Sequence, residues 1–546
     1  LYVPQHPCFC YPGVKLTGFN ALAPAGDETR SYSGQRLHKG PVYNDAARLV
    51  PSGSDRSSDW STYRGDGRRY GAANCEVKPG VSIQWKADVG GKLTPPVASS
   101  DLIFVAAKDK CTLYAFNKSN GSEAWHYTTG GPIDSPPTVH GGLVLCGSAD
   151  GSVYCLRASD GELAWRFRAA PSNRRVMAFN RLESPWRVHG SVLVEDGVAY
   201  FTAGRSTYLD GGIRVFGLDP KTGDVLYRTV LDTWSRTRKD AENKPFLPAY
   251  FMEGGRSDIL VSEGDYIYLG QYKFDKKLRQ QPCPYLMPDK DDRGEAMRVA
   301  DKPYTLPDRN KNSDYEEHQR KWLERTQTDL LKRYRQEYSG WNLGRRKMGQ
   351  HVLSVWGFLD ASWFNRGYWM YSDIWPGYYI AHRAAKTGNL LSVGSDKTYA
   401  VQAYPSRNLQ SPLFTPGKQG YLLLADSNDA RAVLPEQTQG TTKGWGFTRN
   451  KPPAWHKWVP VRIRAMVLAG DRLFIAGPPD VVPEDDPTAS FEGKLGGRLW
   501  AVSTGEGKKL AECELESPPV FDGLMASDGS LYLSTKSGRL MCLGSR

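Results

Sequence analysis

A unit of about 40 residues recurs along this chain, and that recurrence limits the fold more tightly than any local motif does. Residues 132–165 read PIDSPPTVHGGLVLCGSADGSVYCLRASDGELAW: three short apolar-polar alternating runs separated by glycine-rich turns, ending on Trp165. Residues 92–125, KLTPPVASSDLIFVAAKDKCTLYAFNKSNGSEAW, follow the same plan and set Gly121 and Trp125 against Gly161 and Trp165. A third copy runs through 188–227, with Tyr227 four residues after Gly223, and looser copies begin at 457 and at the ESPPVFDGLMASDGSLYLSTKSGRLMCLG that ends the chain.

Alternation with a period of two over such short runs predicts a four-stranded antiparallel blade in each unit. A single blade leaves both faces exposed, and radial stacking around an axis buries them, so the expected architecture is an all-β propeller. Seven units can be counted, at 92–130, 132–171, 186–231, near 246–275, across 352–426, at 457–515 and at the C-terminus, with eight as the alternative count. The last unit stops after its third strand, and VSIQWKADVG at 81–90 supplies a fourth, so the N- and C-terminal strands are expected to pair and close the ring.

The run GSADGSVYCLRASDGELAW, the tryptophan four residues after its turn glycine, and the lead-in DWSTYRGDGRRYG at 59–71 resemble the pyrroloquinoline-quinone-type (PQQ-like) β-propeller repeats of exported bacterial proteins. The resemblance spans 59–546 and implies a periplasmic or cell-surface (extracellular) location. Quinone-dependent alcohol dehydrogenases with this repeat stack PQQ on a disulfide of adjacent cysteines beside a calcium ion. No Cys-Cys dipeptide occurs here. In DKDDRGEA, Asp289, Asp291 and Gly294 match the start of a calcium loop, but Arg293 and Ala300 break the pattern. Neither PQQ nor calcium is therefore expected as a cofactor, and no metal site.

Lys and Arg number 71 against 59 Asp and Glu, a net charge of +12, which favours anionic partners such as acidic polysaccharide. No basic block interleaved with aromatics points to nucleic acid, and no apolar run approaches the roughly 18 residues of a membrane-spanning helix. The nine cysteines form neither CxxC pairs nor CxxCH, which removes the zinc-ribbon, thioredoxin-like and c-type haem readings. If Asp150-Gly151 is a two-residue hairpin turn, Cys146 faces Cys155, a candidate disulfide; the alternative is two buried thiols.

Ligands of propellers meet the segments that depart from the repeat. Three such segments carry candidate binding residues at the propeller face: Arg187, His189, Arg205 and Asp210 in the first, Arg256 and Asp258 in the second, and Asp360, Trp363, Arg366 and His382 in the third. Aromatic rings with Arg and Asp suit a sugar, although the same residues can fill gaps between unequal blades. His189 is a candidate base beside Glu183 or Asp210, or else a core imidazole. No GxSxG or HExxH motif is present, so the catalytic residues stay unknown. An insertion at 276–350 contains a capping-box start at Ser313 and Glu316 and an apolar stripe of Leu323, Leu330, Leu331, Tyr334 and Tyr338, which predicts a helix.

Residues 1–58 form an N-terminal extension before the 59–546 propeller. LYV and LTGFNALAP resemble middle blade strands, so the extension reads as the tail of a preceding propeller or domain, with Cys8 and Cys10 in its hairpin. The expected role is a non-catalytic binding or scaffold module of an exported bacterial multidomain protein or assembly, contacting a protein partner or other domains of a longer precursor. The alternatives are a carbohydrate-active enzyme using the face loops, or a PQQ-dependent oxidoreductase.

Overall fold

A computed structural model describes residues 2–3, 20–21, 34–48, 58–178, 181–232, 254–283, 346–354, 369–375, 384–403, 420–433, 448–449 and 451–545. Their strands form eight successive antiparallel blades. Blades 1 to 3 follow the repeat: Val97–Ser99 to Glu123–Thr128, Thr138–His140 to Leu163–Arg168, and Leu193–Glu195 to Val225–Leu231. Blade 4 contains Val261–Glu263, Tyr266–Leu269 and Tyr272–Asp275, and blade 5 contains Arg346–Ser354, Trp369–Trp375 and Thr387–Gly388. Blade 6 runs from Leu390–Val393 to Trp455–Val459, and blade 7 from Ala465–Ala469 to Lys509–Leu515. Blade 8 joins Pro519–Ser527, Ser530–Thr535 and Arg539–Ser545 to Val81–Asp88, with Trp85 opposite Cys542.

The count of seven is thus corrected to eight. Residues 352–426, read as one unit, belong to two sheets, and the KWV at 457–459, read as the opening of a unit, is the outer strand of blade 6, where Lys457 pairs with Leu423. Helix among the described residues is confined to Tyr43–Arg48 and Ala489–Glu492; the helix expected at 313–338 and the loop at 289–296 lie outside them, as do Cys8 and Cys10.

The recurring glycine and tryptophan join neighbouring blades. Trp125, on the outer strand of blade 1, lays its ring where a Cβ on Gly161 of blade 2 would come within 2.4 Å, and its Nε1 donates to Ala158 O at 2.9 Å. Gly161 has φ +76, the left-handed region that glycine adopts without strain. The arrangement repeats for Trp165 with Gly223 and Pro220 O, for Trp455 with Gly507 and Thr504 O, and for Trp85 with Gly121 and Lys118 O, the last linking blade 8 to blade 1. Each ring is therefore structural, filling the gap between sheets while its polar edge stays satisfied.

The lead-in segment lies along the axis against the inner strands. Trp60 bridges to Ala98 of blade 1 and Ser61 O accepts from Val139 N of blade 2. Gly67 O accepts from Ser262 N of blade 4, Tyr70 O from Val393 N of blade 6 and Gly71 O from Leu468 N of blade 7, after which Ala72–Ala73 pairs parallel with blade 7. Arg64 reaches Asp522 of blade 8. Arg69, fully buried, donates to Thr62 Oγ1, Tyr63 O and Leu260 O, and burial lowers its pKa to about 10. These contacts concentrate near the ends of the inner strands that turn into the second strands, so the segment occupies that end of the channel.

The proposed Cys146–Cys155 disulfide is contradicted. Both thiols are free and buried. Ser148 N donates to Ser152 O and Gly151 N to Ser148 O, making a three-residue loop of Ala149, Asp150 and Gly151, the last with φ +90. The extra residue shifts the register by one, so that Cys146 faces Tyr154 and Cys155 faces Leu145. A one-residue shift sends side chains to opposite faces: Cys146 belongs to the core shared with blade 1, and Cys155 to the core shared with blade 3.

Candidate functional site on one propeller face

The loops between second and third strands lie on the same face as the segments that lead into the inner strands, and the two sets are hydrogen-bonded. Ala149 N donates to Pro132 O at 2.8 Å, Ser184 N to Ala149 O at 2.9 Å and Val188 N to Ser148 O at 3.0 Å. Between blades 2 and 4 this face gathers six of the sequence-predicted residues.

Arg187 stands at the centre. Its guanidinium is paired with Asp134, from the segment leading into blade 2, and with Glu183 Oε1 at 2.9 Å. Each acid heads a similar tripeptide, Asp134-Ser135-Pro136 and Glu183-Ser184-Pro185, but Asp134 lies just before the inner strand Thr138–His140 while Glu183 lies further upstream of Leu193–Glu195. Burial pushes the Asp134 carboxyl up, but Arg187 and then Lys108 outweigh it and hold it below the usual range. Burial raises Glu183, with Arg187 opposing.

His189 is buried with Nε2 3.2 Å from Ser257 O, so that nitrogen donates to the carbonyl. Burial, then the neighbouring Arg187, lowers its pKa to about 3. An imidazole that resists protonation to this degree is a poor general base near neutral pH. Its carbonyl accepts from Ser135 Oγ at 2.6 Å, tying the segments into blades 2 and 3 together.

Arg205 Nη2 lies 2.7 Å from Asp210 Oδ2, and Arg174 pairs with the other oxygen. Trp186 Nε1 donates to Asp210 O at 2.9 Å, and the Arg174 guanidinium lies 5.0 Å from the Trp186 ring centre. Arg256 forms a bridge with Ser206, while Asp258 is buried and accepts from Ile259 N at 2.7 Å. The remaining four candidates, Asp360, Trp363, Arg366 and His382, lie outside the described residues.

Sequence reasoning missed Asp134, Lys108 and Arg174. The recurrence of an acid before Ser-Pro at Asp134 and Glu183 was a readable signal; Arg174 and Lys108 carried none. The resulting surface is a lattice of charge pairs holding loops of adjacent blades, flanked by the hairpin Val176–Ala178 and Arg181–Glu183, whose directly opposed Met177 and Leu182 are exposed. The paired charges are largely buried, and the exposed apolar pair stands beside them. Among the described residues, no group of three or more His, Cys, Asp or Glu is arranged to hold a metal ion.

The sequence profile described as "Outer membrane protein assembly factor BamB" matches residues 78–266, the stretch that carries these loops. A curated protein of that description from Burkholderia pseudomallei is 32% identical over 105 residues, which are 19% of this chain and 27% of the relative. Among solved structures, quinohemoprotein alcohol dehydrogenase from Comamonas testosteroni superposes with a TM-score of 0.51 at 12% identity, covering 92% of this chain and 84% of that one. BamB from Moraxella catarrhalis gives a TM-score of 0.41 at 10% identity, covering 86% and 98%.

Proposed function

From a chain built of PQQ-like β-propeller repeats, we propose a non-catalytic scaffold module of an exported, periplasmic bacterial assembly, which holds a partner protein on the face formed by the loops around Arg187 and Arg205. The observation that carries this reading is the mutual neutralisation of that face. Arg187 is spent on Asp134 and Glu183, Arg205 and Arg174 on Asp210, and His189 is held neutral. Groups locked in this way fix loop geometry and leave little proton-transfer capacity, which suits a surface that is read by shape. The profile match to an outer-membrane assembly factor over the same residues supports the choice of a protein partner.

A quinone-dependent oxidoreductase fits less well. The adjacent-cysteine platform that the resemblance implies is missing from the sequence, and Cys146 and Cys155 lie apart on opposite faces of one sheet. The likeness to an alcohol dehydrogenase, at 12% identity, reflects the fold alone.

The test is photo-crosslinking in a periplasm-exporting host, with a photoreactive amino acid at Leu182 on the loop face or at Asn120, in a turn on the opposite side. The reading expects one discrete protein adduct from Leu182 and none from Asn120. Equal labelling from both positions, or no adduct, contradicts it.

A further inference from the structure

Blades 2 and 3 end differently at their outer edges. The outer strand of blade 2, Leu163–Arg168, is covered by Leu37–Lys39, which pairs with it antiparallel, Leu37 opposite Phe167 and Lys39 opposite Trp165. In blade 3 the sheet ends, among the described residues, at Val225–Leu231. Blade 2 therefore extends one strand further than its neighbour, and Leu37 reaches across the boundary to contact blade 3 beside Gly223. Among the described residues the result is a step whose wall is the added strand and whose inner side is the outer edge of blade 3.

That edge is apolar. Val225, Leu226 and Val230 are 43%, 47% and 40% exposed, three large hydrophobic side chains on one strand of seven residues. The register places Arg228 opposite Phe216 and Val230 opposite Arg214, so Leu226, Arg228 and Val230 share a face with Arg214 and Phe216. Phe216 meets Phe167 of blade 2 edge-on at 5.4 Å, which turns this face toward the step.

The step is also strongly basic. Arg214 and Arg228 come from blade 3, while Arg36 and Arg168 come from the wall, where Arg168 N donates to Arg36 O at 2.8 Å. Two of these guanidiniums, Arg36 and Arg214, are disfavoured by burial and by the like charges beside them. Burial, then Arg228 and Arg168, lowers Arg36; burial, then Arg36, lowers Arg214. An uncovered strand edge is a template for another strand, and this chain already fills the equivalent edge of blade 2 with an extended segment of its own.

We propose that the outer edge of blade 3 docks an extended acidic segment of a partner protein, added as a fifth strand beside Val225–Leu231. Main-chain hydrogen bonds supply the register. Alternate apolar side chains cover Leu226 and Val230, and carboxylates meet Arg36, Arg214 and Arg228. This surface is separate from the loop face, and the proposal does not rest on the role assigned there.

The test uses the full chain and a fluorescein-labelled eight-residue peptide alternating glutamate and valine, followed by anisotropy, with hydrogen exchange over 225–231. Saturable binding is expected, weakened about tenfold by Arg228→Glu and less by Arg228→Gln, and weakened by added salt; the peptide slows exchange of the edge amides. Arg228 is exposed, and circular dichroism checks that both variants are folded. Three results overturn the proposal: equal binding of a lysine-valine peptide, affinity unchanged in both variants, or edge amides already protected in the free chain, which would mean that another segment of this chain holds the edge.

Discussion

Arg64 Nη1 lies 2.8 Å from Asp522 Oδ2, joining the axial segment to blade 8 across 458 residues of sequence, with both side chains buried. Tyr63 OH donates to the same carboxylate oxygen at 2.8 Å. A buried carboxylate is tolerated only with such partners. Asp522→Ala strands the guanidinium and is expected to cost about 3–5 kcal/mol in denaturant unfolding, while the double variant Arg64→Met, Asp522→Leu recovers a large part of that loss. A single-variant cost under about 1 kcal/mol would mean that the axial segment is not anchored there.

The contact between Gly161 and Trp125 predicts a steep penalty for one added methyl group. Gly161→Ala places a Cβ within 2.4 Å of the Trp125 ring at φ +76, so stability should fall by about 2–4 kcal/mol. Gly197→Ala, at φ +73 with no atom near its Cβ, bears the backbone strain alone and should cost about 1 kcal/mol. Thermal unfolding of the two variants separates crowding from strain.

Acid should destabilise the protein in a defined window. His189 and His351 are both lowered to about 3, chiefly by burial, whereas the unfolded residues titrate near 6.5. Between those values the unfolded chain binds protons that the native one refuses, so stability is complete above about pH 6.5 and declines below it, by about 1.4 kcal/mol per pH unit for each histidine. Asp134, held below the ordinary carboxylate range, adds its loss only at lower pH, as the native carboxylate is protonated. Unfolding free energies measured from pH 7 to 5 should decline less steeply in His189→Gln than in the wild type; identical slopes would show that His189 is accessible to protons.

Cys146 and Cys155 should behave as independent, unreactive thiols. Burial raises Cys146 to about 12 and Cys155 upward as well. Iodoacetamide should label both only after denaturation, without reductant. A mass gain of two hydrogens assigned to this pair on reduction would restore the disulfide.

The sequence announced the blades whose joints carry the glycine-tryptophan pair, because that contact needs specific residues at fixed spacing. Blades 5 and 6 hid inside one apparent unit. Blade 5 ends in the two-residue strand Thr387–Gly388, which carries no such tryptophan, while Trp455 on the outer strand of blade 6 pairs with Gly507 of blade 7 and so marks the next joint instead. The cysteine pairing failed on one residue of loop length, which alternation alone does not reveal. On the loop face, Arg187, Arg205 and Asp210 stood out as charges breaking an apolar pattern, but their mutual pairing depends on contacts between blades and was not readable along the chain.

The central claim is that the loop face around Arg187 and Arg205 is a protein-contact surface. Its most direct measurement is a hydrogen-exchange comparison of the free protein with the protein captured together with whatever partner co-purifies with it. The account predicts slowed exchange at 174–178, 181–189 and 205–210, with no change at the third-to-fourth strand turns 118–122 and 158–162. Protection at those turns with the loop face unchanged, or turnover of a sugar or alcohol by the isolated protein, would contradict it.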